Sequence, residues 1–356
     1  MRSAGPNSRG TASGGSKPLD LINPAVSVLL PFRDAERYFN DALVSIAEQT
    51  FTDMETVLIN DGSEDSSILL AEDWCSKDSR FTLVDNAGSG LVDALNTGLA
   101  ASRGLWIARM DADDISLPDR IEKQYGLAVS RGPMTVVSCQ VRSFPEDSIT
   151  RGYRLYEQWL NSLIEPEEIE KNLFIESPIP HPSAFFHRES ILSEGGYTER
   201  ELPEDYELWL RLWSRGYRFI RVPEVLLEWR DYPERLSRTS SAYSLTSFYM
   251  LKAKYLGHVP CMSEKTVHIA GSGQAARRLG KCLQDNGFHI EAFIDPSESR
   301  QGMMLRGRPV RGSGQLSAHP DIPVVIASRL PGARKAVREF LDSLGFVEWE
   351  NYVACS

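Results

Sequence analysis

Several classes of protein are excluded by what the chain of 356 residues does not contain. No stretch approaches the roughly 18 consecutive apolar residues that a membrane-spanning helix requires. The first residues, MRSAGPNSRGTASGGSKP, have no apolar core and do not read as a secretory signal. Their Gly, Ser and Pro content and lack of large apolar residues predict a disordered tail over residues 1–20. The five cysteines, Cys75, Cys139, Cys261, Cys282 and Cys355, are scattered and never in CxxC spacing, which disfavours a disulfide framework or a zinc site and suits a reducing cytoplasm. No basic cluster is present, so nucleic acid is not an expected partner.

What is present is an acidic chain of ordinary globular composition. Lys and Arg number 39 against 49 Asp and Glu, a net charge of −10. The imbalance is uneven: residues 261–356 hold 12 against 10, or +2, which leaves −12 for residues 1–260. An acidic region can still hold an anionic ligand when a divalent cation stands between them.

Short apolar runs (Val26–Leu30, Thr56–Ile59, Phe81–Val84, Leu105–Met110, Thr135–Val141) alternate with helix-period segments such as Asp41–Gln49, Ser66–Lys77 and Val92–Ser102. The alternation predicts a mainly parallel sheet covered on both faces. After a polar stretch near residues 255–265 the pattern restarts with strand Thr266–Ala270, helix Ala275–Asn286, strands His289–Ile294 and Val324–Ala327, and helix Ala333–Leu344. Two α/β domains are therefore expected, over residues 21–260 and 261–356.

Ligands of open α/β sheets bind outside the carboxyl ends of the strands. The first strand ends in Pro31-Phe32-Arg33-Asp34, the second in Asn60-Asp61-Gly62-Ser63, the fourth in Asp111-Ala112-Asp113-Asp114. Carboxylates converging on one edge repel unless a cation binds between them, and hard cations prefer such oxygen ligands. Asp61 is either an Asx turn or an acceptor for a nucleobase N–H. Glu204 and Asp205 open an amphipathic helix, where they either complement its dipole or supply a general base. His181 and His187 are weaker candidates for a metal or the acceptor, Trp159, Trp209, Trp213 and Trp229 for sugar stacking, and Arg230 and Arg238 for the diphosphate.

PFRDAE, NDGSED, NAGSGLVDALNTGLAASRG, ARMDADD, HPSAFFHRE and PEDYELWLRL, in this order, resemble glycosyltransferase family 2 over about residues 24–240. The resemblance implies the A-type glycosyltransferase fold and inverting transfer of a sugar from a nucleotide diphosphate donor, a UDP-sugar above all. It implies that Asp61 binds the nucleobase and that Asp111 and Asp113 hold Mg²⁺ or Mn²⁺. Asp205 becomes the general base, with Glu204 next in line. Pro31, Phe32, Arg33, Glu36, Gly88, Asn96, Arg109 and Asp111 fall where the family lines its donor pocket. Arg33 departs from the Tyr that many members carry. The QxxRW motif of processive synthases is absent, which favours single addition to a saccharide or lipid-linked saccharide, with peripheral membrane association as one setting. The rivals are a nucleotidyltransferase, which would want a Gly/Lys/Arg-rich phosphate loop after strand one, and a non-catalytic nucleotide-sugar-binding scaffold. Gly271-Ser272-Gly273-Gln274-Ala275-Ala276 gives G-x-G-x-x-A between strand and helix, with Asp295 ending the next strand. This segment resembles the Rossmann-like N-terminal domain of sugar O-acyltransferases, which implies either nucleotide binding or a scaffolding role.

Overall fold

The computed structural model describes residues 23–328 and 331–356. The proposed tail over residues 1–20 lies outside the described residues. The first strand, β1 (Val26–Phe32), is buried along its whole length, as a central parallel strand covered on both faces must be. Around it form β2 (Met54–Asn60), β3 (Phe81–Asp85), β4 (Trp106–Arg109), β5 (Ile115–Ser116), β6 (Thr135–Phe144), β7 (Phe185–His187) and β8 (Arg218–Arg230). The sheet order is β3-β2-β1-β4-β7-β6-β8-β5. Strands β3, β2, β1 and β4 run parallel, β7 is antiparallel to both its neighbours, and β8 returns parallel to β6. The sheet is thus mainly parallel, and its strand ends deliver the loops after β1, β2 and β4 to one edge.

A second sheet contains β9 (Thr266–Ala270), β10 (His289–Ile294), β11 (Met304–Leu305), β12 (Arg308–Arg311), β13 (Val324–Ile326) and β14 (Tyr352–Ala354), in the order β11-β12-β10-β9-β13-β14. The two sheets are not insulated from each other. One continuous apolar cluster runs from Leu29 and Ile59 through Phe174 and Leu256 to Ile269 and Val353. Helix Leu245–Leu256 packs against both helix Glu204–Ser214 and helix Gln274–Asp285. Among the described residues no helix is long and apolar enough to cross a membrane.

Strands β7 and β8 and helices Arg151–Ser162 and Leu245–Leu256 were not legible as periodic segments. Strand β8 interrupts its apolar residues with Arg221, Pro223, Glu224 and Glu228, which masks its period. Arg221 is buried there only because backbone carbonyls of Leu160, Leu163 and Pro178 accept its guanidinium protons.

Candidate active site

A cavity of about 950 Å³ opens at the carboxyl ends of β1, β2 and β4. Its walls bring together Pro31, Phe32, Arg33, Asp61, Arg109, Asp111, Asp113, Glu204 and Asp205 from four separated stretches of chain. The β1 and β2 loops are laced to each other. Asp34, at φ 48°, accepts a hydrogen bond from the Glu64 amide (2.8 Å), and the Ala35 amide donates to Ser67 Oγ (2.8 Å). Asn60 Oδ1 caps the turn by accepting from the Ser63 amide, 2.9 Å, while Gly62 sits at φ 72°, where a side chain would be strained. Asp61 then reaches the cavity with its Oδ1 held by Asn86 Nδ2 (2.6 Å) and the Gly90 amide (2.9 Å).

Three residues expected in the donor pocket do not line it. Glu36 is a loop brace: its amide donates to Asp65 and its carboxylate accepts from the Ser66 amide. Gly88 is small because Asp93 Oδ2 would lie 2.5 Å from a Cβ added there. Asn96 exchanges two hydrogen bonds with the backbone of Tyr197 (2.8 and 3.0 Å), tying helix Leu91–Ala101 to the turn before Glu204. Glu36 and Asn96 thus hold the frame of the cavity.

The turn after β4 concentrates negative charge. Asp111, Asp113 and Asp114 each offer one carboxylate oxygen within 4.8 Å of the others. Asp114, not singled out in the sequence, is fully buried; its Oδ1 accepts from the Arg230 amide (2.8 Å) and its Oδ2 has no partner. Burial and the adjacent Asp113 and Asp111 push its carboxyl well above the usual range. Asp113 is pushed up by the same burial and by Asp111, against an opposing hydrogen bond from Tyr232. An orphaned carboxylate oxygen beside two more carboxylates suits a hard divalent cation.

Buried arginines support this turn. Arg109 pairs with Asp111, which outweighs burial and raises its pKa. Arg120 donates to the Arg109 carbonyl (2.5 Å) and to Gln124 (3.0 Å). Arg230, expected as a diphosphate clamp beyond the last strand, instead ends β8 and braces the turn, donating from Nε to the Asp113 carbonyl (2.7 Å) with its guanidinium 4.0 Å over the Tyr38 ring. Arg238 is drawn to Asp231 at 2.6 Å.

Across the cavity, helix Glu204–Ser214 presents its N-terminal carboxylates. Leu208, Trp209 and Leu212 bury its apolar face and fix its approach. Glu204 accepts from Tyr243 OH (2.6 Å), and burial raises its pKa. Asp205 is pushed up to about 8, first by burial and then by the charge of Glu204. His181 lines the cavity, but its Nε2 bonds Tyr197 OH (2.8 Å) and its Nδ1 faces Glu204 at 3.6 Å. Burial and Arg109 keep that ring neutral. His187 is the side-chain cap of the next helix and does not line the cavity. Of the four tryptophans only Trp229 does; Trp209 is core, and Trp159 and Trp213 donate to Asn172 and Glu170. Tyr153, Tyr156, Glu176, Tyr232, Arg235 and Tyr243 also line it and carry no motif; their positions come from long-range folding alone.

A sequence model described as Glycosyl transferase family 2 matches residues 27–196. The amylovoran biosynthesis glycosyltransferase AmsE of Erwinia amylovora is 31% identical over 207 residues, covering 57% of this chain and 75% of AmsE. The chain belongs to glycosyltransferase family 2 and is a glycosyltransferase. It is also similar to the UDP-Gal:alpha-D-GlcNAc-diphosphoundecaprenol beta-1,3-galactosyltransferase of Escherichia coli, at 28% identity over 247 residues, 66% of this chain and 86% of that one. Among solved structures, S. aureus TarS 1-349 in complex with UDP-GlcNAc superposes with a TM-score of 0.53 at 13% identity, over 73% of this chain and 80% of TarS, a likeness of fold. The rival nucleotidyltransferase and scaffold readings lose their ground in this transferase.

Proposed function

We propose that this transferase moves a sugar from a nucleoside diphosphate donor, a UDP-sugar, to a saccharide hydroxyl with inversion, in the assembly of a surface polysaccharide or lipid-linked glycan. The observation that carries the reading is a pair of opposed acidic groups across one cavity: the Asp111–Asp113–Asp114 turn and the raised carboxyl of Asp205. The UDP donor and glycan setting are drawn from the names of its relatives. Free thiols at Cys75, Cys139, Cys261, Cys282 and Cys355 suit a cytoplasmic enzyme.

Asp111, Asp113 and Asp114 would hold Mg²⁺ or Mn²⁺, which supplies charge neutralisation for a departing diphosphate. Asp61 accepts a nucleobase N–H, with Pro31, Phe32 and Arg33 along the same wall. Asp205 takes the acceptor proton as the hydroxyl oxygen bonds to the anomeric carbon and the carbon–diphosphate bond breaks on the opposite face. A carboxyl raised to about 8 is a stronger base than a solvated one, which suits it to that proton. Glu204, with Tyr243 donating to it, keeps Asp205 raised by its negative charge.

Calorimetric titration of UDP into the enzyme, with Mn²⁺ and again with EDTA, tests the donor site. We expect affinity to fall at least tenfold on chelation and in Asp113→Ala. Equal affinity in both conditions would sink the metal-dependent donor site.

A further inference from the structure

One end of the cavity is built differently from the rest. There the walls are Tyr153, Tyr156 and Trp229, with ring centroids 5.7 Å (Tyr153–Trp229) and 5.9 Å (Tyr153–Tyr156) apart, joined by Glu176 and Ser177. Ser177 Oγ and Trp229 Nε1 are buried without a protein partner, so hydrogen-bonding capacity is unmet beside the aromatic faces. The arginine at this end, Arg235, is occupied by Tyr153 OH (3.3 Å) and Asp231 and lies over Trp229, while Glu176, Glu204 and Asp205 are acidic. Apolar ring faces, unmet hydrogen-bonding groups and the Glu176 carboxylate together fit an uncharged sugar ring better than an anionic one.

The same wall is fastened to the second sheet. Residues Phe174–Ser177 form a short span whose one end packs between the sheets and whose other end faces the cavity. Phe174 lies against Trp213 and Trp349, at 5.4 and 6.1 Å between centroids. Ile175 is part of the core of the second sheet, with Ala270, Ile294 and Ala354. The buried Lys252 donates to both the Ile175 carbonyl (2.7 Å) and the Cys355 carbonyl (3.0 Å), so one ammonium group joins this span to the strand end after β14. Glu176 and Ser177 follow directly.

We propose that Tyr156, Trp229, Glu176 and Ser177 form the acceptor subsite, that its ligand is a neutral pyranose ring presenting its hydroxyl toward Asp205, and that the second sheet positions this subsite through Lys252 and Ile175. The proposal rests on the glycosyl-transfer reading above. Stacking on Tyr156 and Trp229 orients the ring, Glu176 accepts from ring hydroxyls, and Lys252 is a positioning residue that touches no substrate.

The test uses the full chain, UDP-hexoses with Mn²⁺, and two acceptor panels: neutral methyl hexopyranosides and the corresponding methyl hexuronides. UDP release is followed with and without each acceptor. We expect at least one neutral glycoside, and no uronide, to accelerate UDP release. Trp229→Leu and Glu176→Gln should raise the acceptor KM about tenfold more than the donor KM, and Lys252→Met should raise it several-fold with kcat little changed. UDP affinity by calorimetry confirms that each variant is folded. Acceleration by uronides alone, by neither panel, or an equal rise of donor and acceptor KM in the variants would overturn the subsite. Loss of UDP binding and of all UDP release in the wild-type enzyme would instead bring down the donor reading, and this proposal with it.

Discussion

The two sheets use the same grammar, strand then turn then helix with a carboxylate at a strand end, yet treat that carboxylate in opposite ways. In the second sheet Asp295 directly follows β10, where Ser272 of the fingerprint Gly271-Ser272-Gly273 bonds to it. Burial pushes the carboxyl up, but hydrogen bonds from Ser272, the Ser297 amide (2.9 Å) and Arg300 (3.0 Å) outweigh it and leave it below its usual range. Beside it is a void of about 120 Å³. In the first sheet Asp114 keeps an orphaned oxygen, Asp113 and Asp205 are raised, and the cavity is about 950 Å³. A satisfied carboxylate stabilises the fold, whereas an unsatisfied one is held at the fold's expense and is available to a ligand. The contrast is the one expected if chemistry falls to the first sheet and support to the second.

The largest expected effect breaks the chemical side. Asp205→Asn should cut transfer by about 10²–10⁴ while changing UDP affinity far less, since a general base contributes in that range. Its pH dependence has a definite sign. A base must be deprotonated, and the Asp205 carboxyl lies at about 8, so kcat/KM should rise with pH toward that value and level off above it. A bound cation nearby would move the limb downward by favouring the carboxylate. A flat profile from pH 6 to 9 in the wild type, or substantial turnover by the variant, would place the base elsewhere.

A paired substitution sharpens the comparison itself. Asp295→Ala removes an acceptor from Ser272, Ser297 and Arg300 and should cost about 1–3 kcal/mol in thermal unfolding, with transfer unchanged. Asp114→Asn keeps the bond from the Arg230 amide and removes a carboxyl whose ionisation burial and Asp113 oppose, so stability without metal should be unchanged or higher. It should, however, lose the rise in Tm that Mn²⁺ with UDP gives the wild type. Similar stability losses in both variants would show that the two carboxylates are not treated differently.

The smallest expected effect concerns the boundary near residue 260. A 1–260 fragment should retain metal-dependent UDP binding, since the Asp61 and Asp111–Asp114 turns lie on the first sheet, while its acceptor KM rises. It uncovers Phe174, Trp213 and the face of helix Leu245–Leu256 that meets helix Gln274–Asp285, so lower solubility should accompany it. A folded fragment unable to bind UDP would end the division of labour between the sheets.

Much of this was legible from the chain alone. Strands β1, β2, β9 and β10 are compact apolar runs bounded by turn residues, and buried strands must be apolar whatever surrounds them, whereas the edge strand β3 is buried only at Phe81. The Asp111–Asp114 turn was legible because a carboxylate run directly after such a run has few structural reasons to exist. Glu36 and Asn96 lie in the right stretches of sequence, yet their side chains turn to Ser66 and Tyr197, a choice set by partners 30 and 101 residues away. Arg230 likewise has a charge suited to a diphosphate but is drawn to the Asp113 carbonyl and the Tyr38 ring.

The sequence by itself determined strands of each of the two sheets, the strand-end carboxylates and the acidic opening of helix Glu204–Ser214, because each depends on local period or on adjacent residues. Only the tertiary structure decided that Asp114 is the buried orphan, that Glu204 and Asp205 face the Asp111 turn across one cavity, and that Tyr153, Tyr156 and Trp229 meet on its wall. Burial and electrostatic neighbourhood are properties of three-dimensional proximity, and the residues concerned are brought together from stretches 73 to 116 positions apart. The attachment of Ile175 to Lys252 and Cys355 has the same origin, since a backbone carbonyl has no sequence signature until a distant ammonium group is folded against it.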